Sequence, residues 1–150
     1  METYLQVLKN QNQFKIHGNN KLSMNKTFIV NGNNTNIFKT GDVITNIIMI
    51  EFNDNTPIGS YLIEDIIPNG MSFLNMYNEY SEDENLIKYI SDISGQKISF
   101  HVYYNGRNNP YIRYQTRVSG LGTYNSDGTI MKDYNNSIIS YLPGSMIETK

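Results

Sequence analysis

The chain of 150 residues contains no cysteine, no tryptophan, no alanine and only four prolines. Without cysteine, disulfide bridges and thiolate metal sites are excluded. Without alanine the chain lacks the strongest helix former, and its abundant Ile, Tyr, Thr and Val favour strands. It also has no apolar run near the ~18 residues that a membrane-spanning helix requires. Its longest, Ile47-Ile48-Met49-Ile50, suits a buried strand. The opening Met1-Glu2-Thr3-Tyr4-Leu5-Gln6-Val7-Leu8-Lys9 has no basic start followed by an apolar stretch, so no secretory signal is visible. The expectation is a protein made in the cytoplasm that does not span a membrane.

Several chemistries are also short of parts. His17 and His101 stand in no ligand pattern, and no Gly-x-Ser-x-Gly elbow is present. Glu64 and Asp65 are adjacent, so in a strand they point to opposite faces and cannot act as an acid/base couple. Glu82-Asp83-Glu84 suits the start of a helix. Gly120-Leu121-Gly122 is too short to cradle a phosphate, and Asn125-Ser126-Asp127-Gly128 lacks the distant glutamate of a calcium loop. The reading is a non-enzymatic protein with no catalytic residues, no metal site and no cofactor. A formal charge of -2 argues against nucleic acid as a partner.

What is present is asparagine, 22 residues of it, with 12 tyrosines. Asparagine favours turns because its side chain bonds nearby backbone and tolerates left-handed conformations. The length fits one domain over 1–150, and the fold class reads as mainly β or α+β. Short strands are expected at Tyr4 to Leu8, Phe14 to His17 and Thr27 to Val30, and Asn31-Gly32 is a hairpin turn pair. The near-continuous apolar stretch from Asp42 to Phe52 reads as a central strand covered on both faces. Gly59 to Ile67 is a further strand, and Thr129 to Tyr134 with Ser137 to Leu142 forms a last pair.

One segment breaks the β pattern. Ser81 and Glu84 have the capping-box spacing, Leu86, Ile90 and Ile93 recur at helical intervals, and Gly95 suits a C-terminal cap. This predicts one principal helix over about 82–94, packed on a sheet.

The strongest strand pattern lies at 97–118. Ile98, Phe100, Val102 and Tyr104 alternate with Lys97, Ser99, His101 and Tyr103. After Asn105-Gly106-Arg107-Asn108-Asn109-Pro110, Ile112, Tyr114, Thr116 and Val118 alternate with Arg113, Gln115 and Arg117. Read as a hairpin, Tyr104 faces Ile112 and Val102 faces Tyr114. The outer face then pairs Tyr103 with Arg113, His101 with Gln115 and Ser99 with Arg117. Lys97, His101, Tyr103, Arg113 and Arg117 thus form a candidate anion-binding face suited to a lipid head group, with Arg giving forked contacts and Tyr an amphipathic platform. The tyrosines also suit sugar stacking, so a free-standing carbohydrate- or surface-binding β-sandwich module is the alternative.

The cysteine-free, Asn/Ile/Tyr-rich composition, the opening Met1-Glu2-Thr3-Tyr4-Leu5-Gln6-Val7-Leu8 and the Ile98-Ser99-Phe100-His101-Val102-Tyr103-Tyr104 strand together resemble the small first protein of the orfX-type botulinum neurotoxin gene clusters. The resemblance implies a toxin-associated accessory protein that forms a complex with a larger companion from the same cluster, is released with it, and binds anionic, phosphoinositide-type lipid. It also implies a TULIP-like fold, a curved antiparallel sheet wrapped around one helix. It carries no functional residues onto this chain.

Overall fold

The structure is a computed structural model that describes residues 22–76, 88–107, 109, 111–126, 128–135 and 137–149. In chain order the strands are β1 (Leu22–Val30), β2 (Asn33–Asn34), β3 (Ile37–Phe38), β4 (Val43–Phe52), β5 (Gly59–Ile66) and β6 (Met71–Met76). They continue with β7 (Lys88–Ser94), β8 (Lys97–Tyr104), β9 (Tyr111–Val118), β10 (Gly122–Asn125), β11 (Thr129–Asp133), β12 (Ile138–Leu142) and β13 (Met146–Thr149). Two five-stranded antiparallel sheets, ordered β2-β1-β4-β9-β6 and β12-β11-β5-β8-β7, pack face to face. A small third sheet, β10-β13-β3, includes the parallel pair β13–β3.

Alternation explains which side chains meet between the sheets. Ile44, Ile48 and Ile50 of β4, with Ile112, Tyr114 and Val118 of β9, face Tyr61 and Ile63 of β5 and Ile98, Phe100 and Val102 of β8. Phe52 stacks on Tyr104 at 4.0 Å between centroids, and Phe100 lies 5.3 Å from Tyr114. At one end of the sandwich Tyr124 lies over Gly70, whose φ of +84° and nearest ring atom, 2.9 Å from an added Cβ, admit no side chain.

Several expectations hold. Asn31 and Gly32 both have positive φ and join β1 to β2 in a two-residue turn. The pair β11–β12 forms, with a bulge after Met131. Others need correction. The strand over 43–52 is central, but only one of its faces is buried, and Met49 on the other face is 52% exposed. The strands expected at 4–8 and 14–17 lie outside the described residues.

The expected helix over 82–94, and with it the curved sheet wrapped around a helix, is overturned. Residues 82–87 lie outside the described residues, 88–94 form strand β7, and no helix occurs among the described residues. The spacing that mimicked a helix has a local cause. A register shift between Ile90 and Asp92 sets Ile90 opposite Phe100 and Ile93 opposite Ile98. Two isoleucines three residues apart therefore share one face, which a regular strand forbids and a bulge permits. Gly95, with φ +61°, opens the two-residue turn into β8 instead of ending a helix.

The hairpin over 97–118 is also overturned. Strand β8 pairs with β5 and β7, while β9 pairs with β4 and β6 in the other sheet. The chain therefore passes from one sheet to the other between β8 and β9. Asn109 fastens it to the end of β4, its Oδ1 accepting from the Phe52 N–H at 3.0 Å. Both arrangements bury the same alternate residues, so parity alone does not choose between them.

Candidate functional site

The crossing divides the five residues of the expected anion-binding face. Lys97, His101 and Tyr103 alternate with the buried residues of β8 and so lie on the outer face of the β12-β11-β5-β8-β7 sheet. Arg113 and Arg117 lie on the outer face of the β2-β1-β4-β9-β6 sheet. The sandwich core separates the two groups. The pairs Tyr103–Arg113, His101–Gln115 and Ser99–Arg117 do not form. Instead Tyr103 lies opposite Ser60, His101 opposite Leu62 and Ser99 opposite Glu64.

The register assembles a different surface around the arginines. On the outer face of the first sheet, Asn25, Met49 and Tyr111 form one row across β1, β4 and β9. Thr27, Ile47 and Arg113 form the next, followed by Ile29, Thr45 and Gln115, and then by Val43 beside Arg117. Glu51 sits at the corner beside Ser23. Met49 and Tyr111, at 52% and 37% exposure, lead the apolar centre. A 270 Å³ depression lined by Met24, Met49, Glu51, Asn109 and Tyr111 borders that row. Tyr, Met and Arg together at one exposed surface are the residue types enriched in protein interfaces.

The opposite outer face carries an ion pair. Glu64 Oε1 accepts from Lys132 Nζ at 3.1 Å, and both Glu64 and the neighbouring Ile130 are buried.

A second cluster lies between the sheets. Asp65, fully buried on β5, accepts on Oδ2 from Lys26 Nζ of β1 at 2.7 Å and from the Tyr114 hydroxyl of β9. Its Oδ1 accepts from Thr129 Oγ1 of β11 at 2.8 Å. Four strands of both sheets thus converge on one carboxylate. Burial, together with the charge and hydrogen bond of Asp65, pushes the Tyr114 hydroxyl well above its ordinary value of 10.0. Tyr61, elsewhere in the core, is raised by burial, Asp133 and Tyr104.

Sequence reasoning placed Glu64 and Asp65 on opposite faces, as they are, but missed Lys26. The signal was available: in Met24-Asn25-Lys26-Thr27-Phe28 the lysine has the parity of the core-facing Met24 and Phe28. A lysine at an inward position requires a buried acceptor. Among the described residues no group of three His, Asp or Glu side chains is placed to hold a metal ion.

The fold is similar to known β-sandwiches. The chain matches native alpha-2-macroglobulin from Escherichia coli, solved from domain MG7 to the C-terminus, with TM-score 0.69 and 13% identity. That match covers 88% of this chain, which spans only 24% of the other. A cohesin module from a Clostridium perfringens family 33 glycoside hydrolase matches with TM-score 0.55 and 11% identity, over 85% of this chain and 96% of that one. A non-cellulosomal cohesin from the hyperthermophilic archaeon Archaeoglobus fulgidus matches with TM-score 0.52 and 13% identity, over 83% and 91%. No family model and no curated protein matches the chain. At these identities the likeness establishes an Ig-like sandwich architecture and nothing further.

Proposed function

We propose that the protein is a non-enzymatic binding module that docks a larger protein on the outer face of the β2-β1-β4-β9-β6 sheet. The observation that carries this is the Met49–Tyr111 pair, exposed side by side and continuous with Ile47 and Arg113. Aromatic and Met side chains supply anchoring area, while arginine confers orientation on an acidic margin of the partner. The partner's contact surface is therefore apolar with carboxylates at its rim. The resemblance to the orfX-type clusters supplies a candidate: a larger companion encoded beside this chain. An anionic lipid surface is a second ligand for the same face, now resting on Arg113 and Arg117 alone, four residues apart on one strand.

The test is co-expression with the proteins encoded beside this one, followed by size-exclusion chromatography with light scattering. The expected result is co-elution of the wild type with a larger neighbour, abolished by Met49→Asp. Co-elution that survives Met49→Asp and Tyr111→Ala together moves the interface off this face. If the protein elutes alone, flotation with anionic liposomes and glycan arrays separate the lipid reading from the free-standing carbohydrate- or surface-binding one.

A further inference from the structure

The Lys26–Asp65 contact has the geometry of more than an ion pair. The lysine side chain is 7% exposed and the carboxylate 0%, and the two belong to opposite sheets. A buried pair of full charges recovers its desolvation poorly, even at 2.7 Å. Joining the two groups as an amide removes both charges from the interior. The nitrogen that hydrogen-bonds Oδ2 is already beside the carboxyl carbon, and two strands hold it there, the arrangement that gives intramolecular reactions their high effective molarity.

We propose that Lys26 and Asp65 condense into an intramolecular amide that ties the two sheets covalently, with Tyr114 and Thr129 as catalytic residues. Proton transfer along the Lys26–Asp65 hydrogen bond turns the ion pair into an amine and a carboxylic acid. The amine lone pair attacks Asp65 Cγ, forming the C–N bond and a tetrahedral carbon bearing two oxygens. Thr129 Oγ1 and the Tyr114 hydroxyl donate to those oxygens, where negative charge develops. The nitrogen then releases a proton, the departing hydroxyl takes one up through Tyr114, the C–O bond breaks and water leaves. Nothing is oxidised or reduced, and no co-reactant is required. Asn46, also buried, is not the acyl partner. Its amide nitrogen donates to Tyr114 O at 3.3 Å and to Thr116 Oγ1 at 3.1 Å.

Intact-mass measurement on the purified, folded chain tests this directly. The expected mass is one water below that of the sequence. Cleavage after glutamate releases residues 3–51 and 65–79 as separate peptides from an unlinked chain. From the linked chain they emerge as one branched species, with fragmentation locating the branch at Lys26 and Asp65. Lys26→Met should restore both the full mass and the separate peptides. If that variant does not fold, the wild-type mass and branched peptide still decide. A wild type at full mass with separate peptides overturns the proposal. So does a loss of water without the branched peptide, which assigns it to a succinimide at Asp127-Gly128. A branched species that has lost ammonia in place of water, with its branch at an asparagine, overturns it as well.

Discussion

Glu64 and Asp65 are neighbours in one strand, and each meets a lysine, yet their surroundings have little in common. Glu64 points out of the sandwich to Lys132, whose side chain is 22% exposed, and both belong to the same sheet. Asp65 points in, is fully buried, and collects Lys26, Tyr114 and Thr129 from both sheets. The same chemistry is thus a contact within one sheet on one face and a cross-sheet tie on the other. Period-two alternation alone makes that difference.

The sharpest way to separate the two is to remove each carboxylate in turn. Asp65→Ala leaves the Lys26 ammonium buried with the Tyr114 and Thr129 hydroxyls, and should destabilise the fold by about 3–5 kcal/mol. The midpoint of urea denaturation measures it. Adding Lys26→Met should recover part of the loss, because a buried methionine needs no acceptor. A loss below about 1 kcal/mol would place Asp65 in the same energetic class as an exposed ion pair.

A second test uses alkaline pH. The Tyr114 hydroxyl is raised by burial and by Asp65, so the folded state holds a proton that the unfolded chain releases near 10.0. Its contribution is full below that pH and is lost as pH rises from there through the higher folded value. Tyr61 acts in the same direction. Tyr114→Phe should cost about 1–2 kcal/mol at neutral pH and show a shallower loss above pH 10.0 than the wild type. Denaturation midpoints across that range check it, and parallel slopes would contradict the assignment.

The smallest effect belongs to the outward pair. Glu64→Gln keeps the shape and an acceptor for Lys132, loses the charge and should cost about 1 kcal/mol. A loss equal to that of Asp65→Ala would erase the distinction between the faces.

How much of this was legible in the sequence follows the same line. Faces were legible: Ile98, Phe100, Val102, Ile112, Tyr114 and Val118 are buried as alternation requires. The Asn31-Gly32 turn was legible because only a left-handed pair of residues closes that hairpin. Neighbours were not. Nothing local to residues 105–110 says whether the chain turns back on itself or crosses to a second sheet. The cations of β8 and β9 were therefore drawn onto one surface when they occupy two. The helix expectation failed at Ser91, where one extra residue in the ladder put Ile90 and Ile93 on one side. The row of Met49 and Tyr111 was hidden for a related reason, since a run of four apolar residues reads as buried on both sides until Met49 is known to be exposed.

The account turns on β8 and β9 lying in different sheets. That placement leaves Arg113 and Arg117 beside Met49 and Tyr111, and it lets Tyr114 reach Asp65 from across the core. Cross-strand NOEs in a uniformly labelled sample decide it. Contacts between the backbones of Ile47 and Arg113, and of Leu62 and His101, are predicted. Contacts between Tyr103 and Arg113, and between His101 and Gln115, would restore the hairpin and contradict the account.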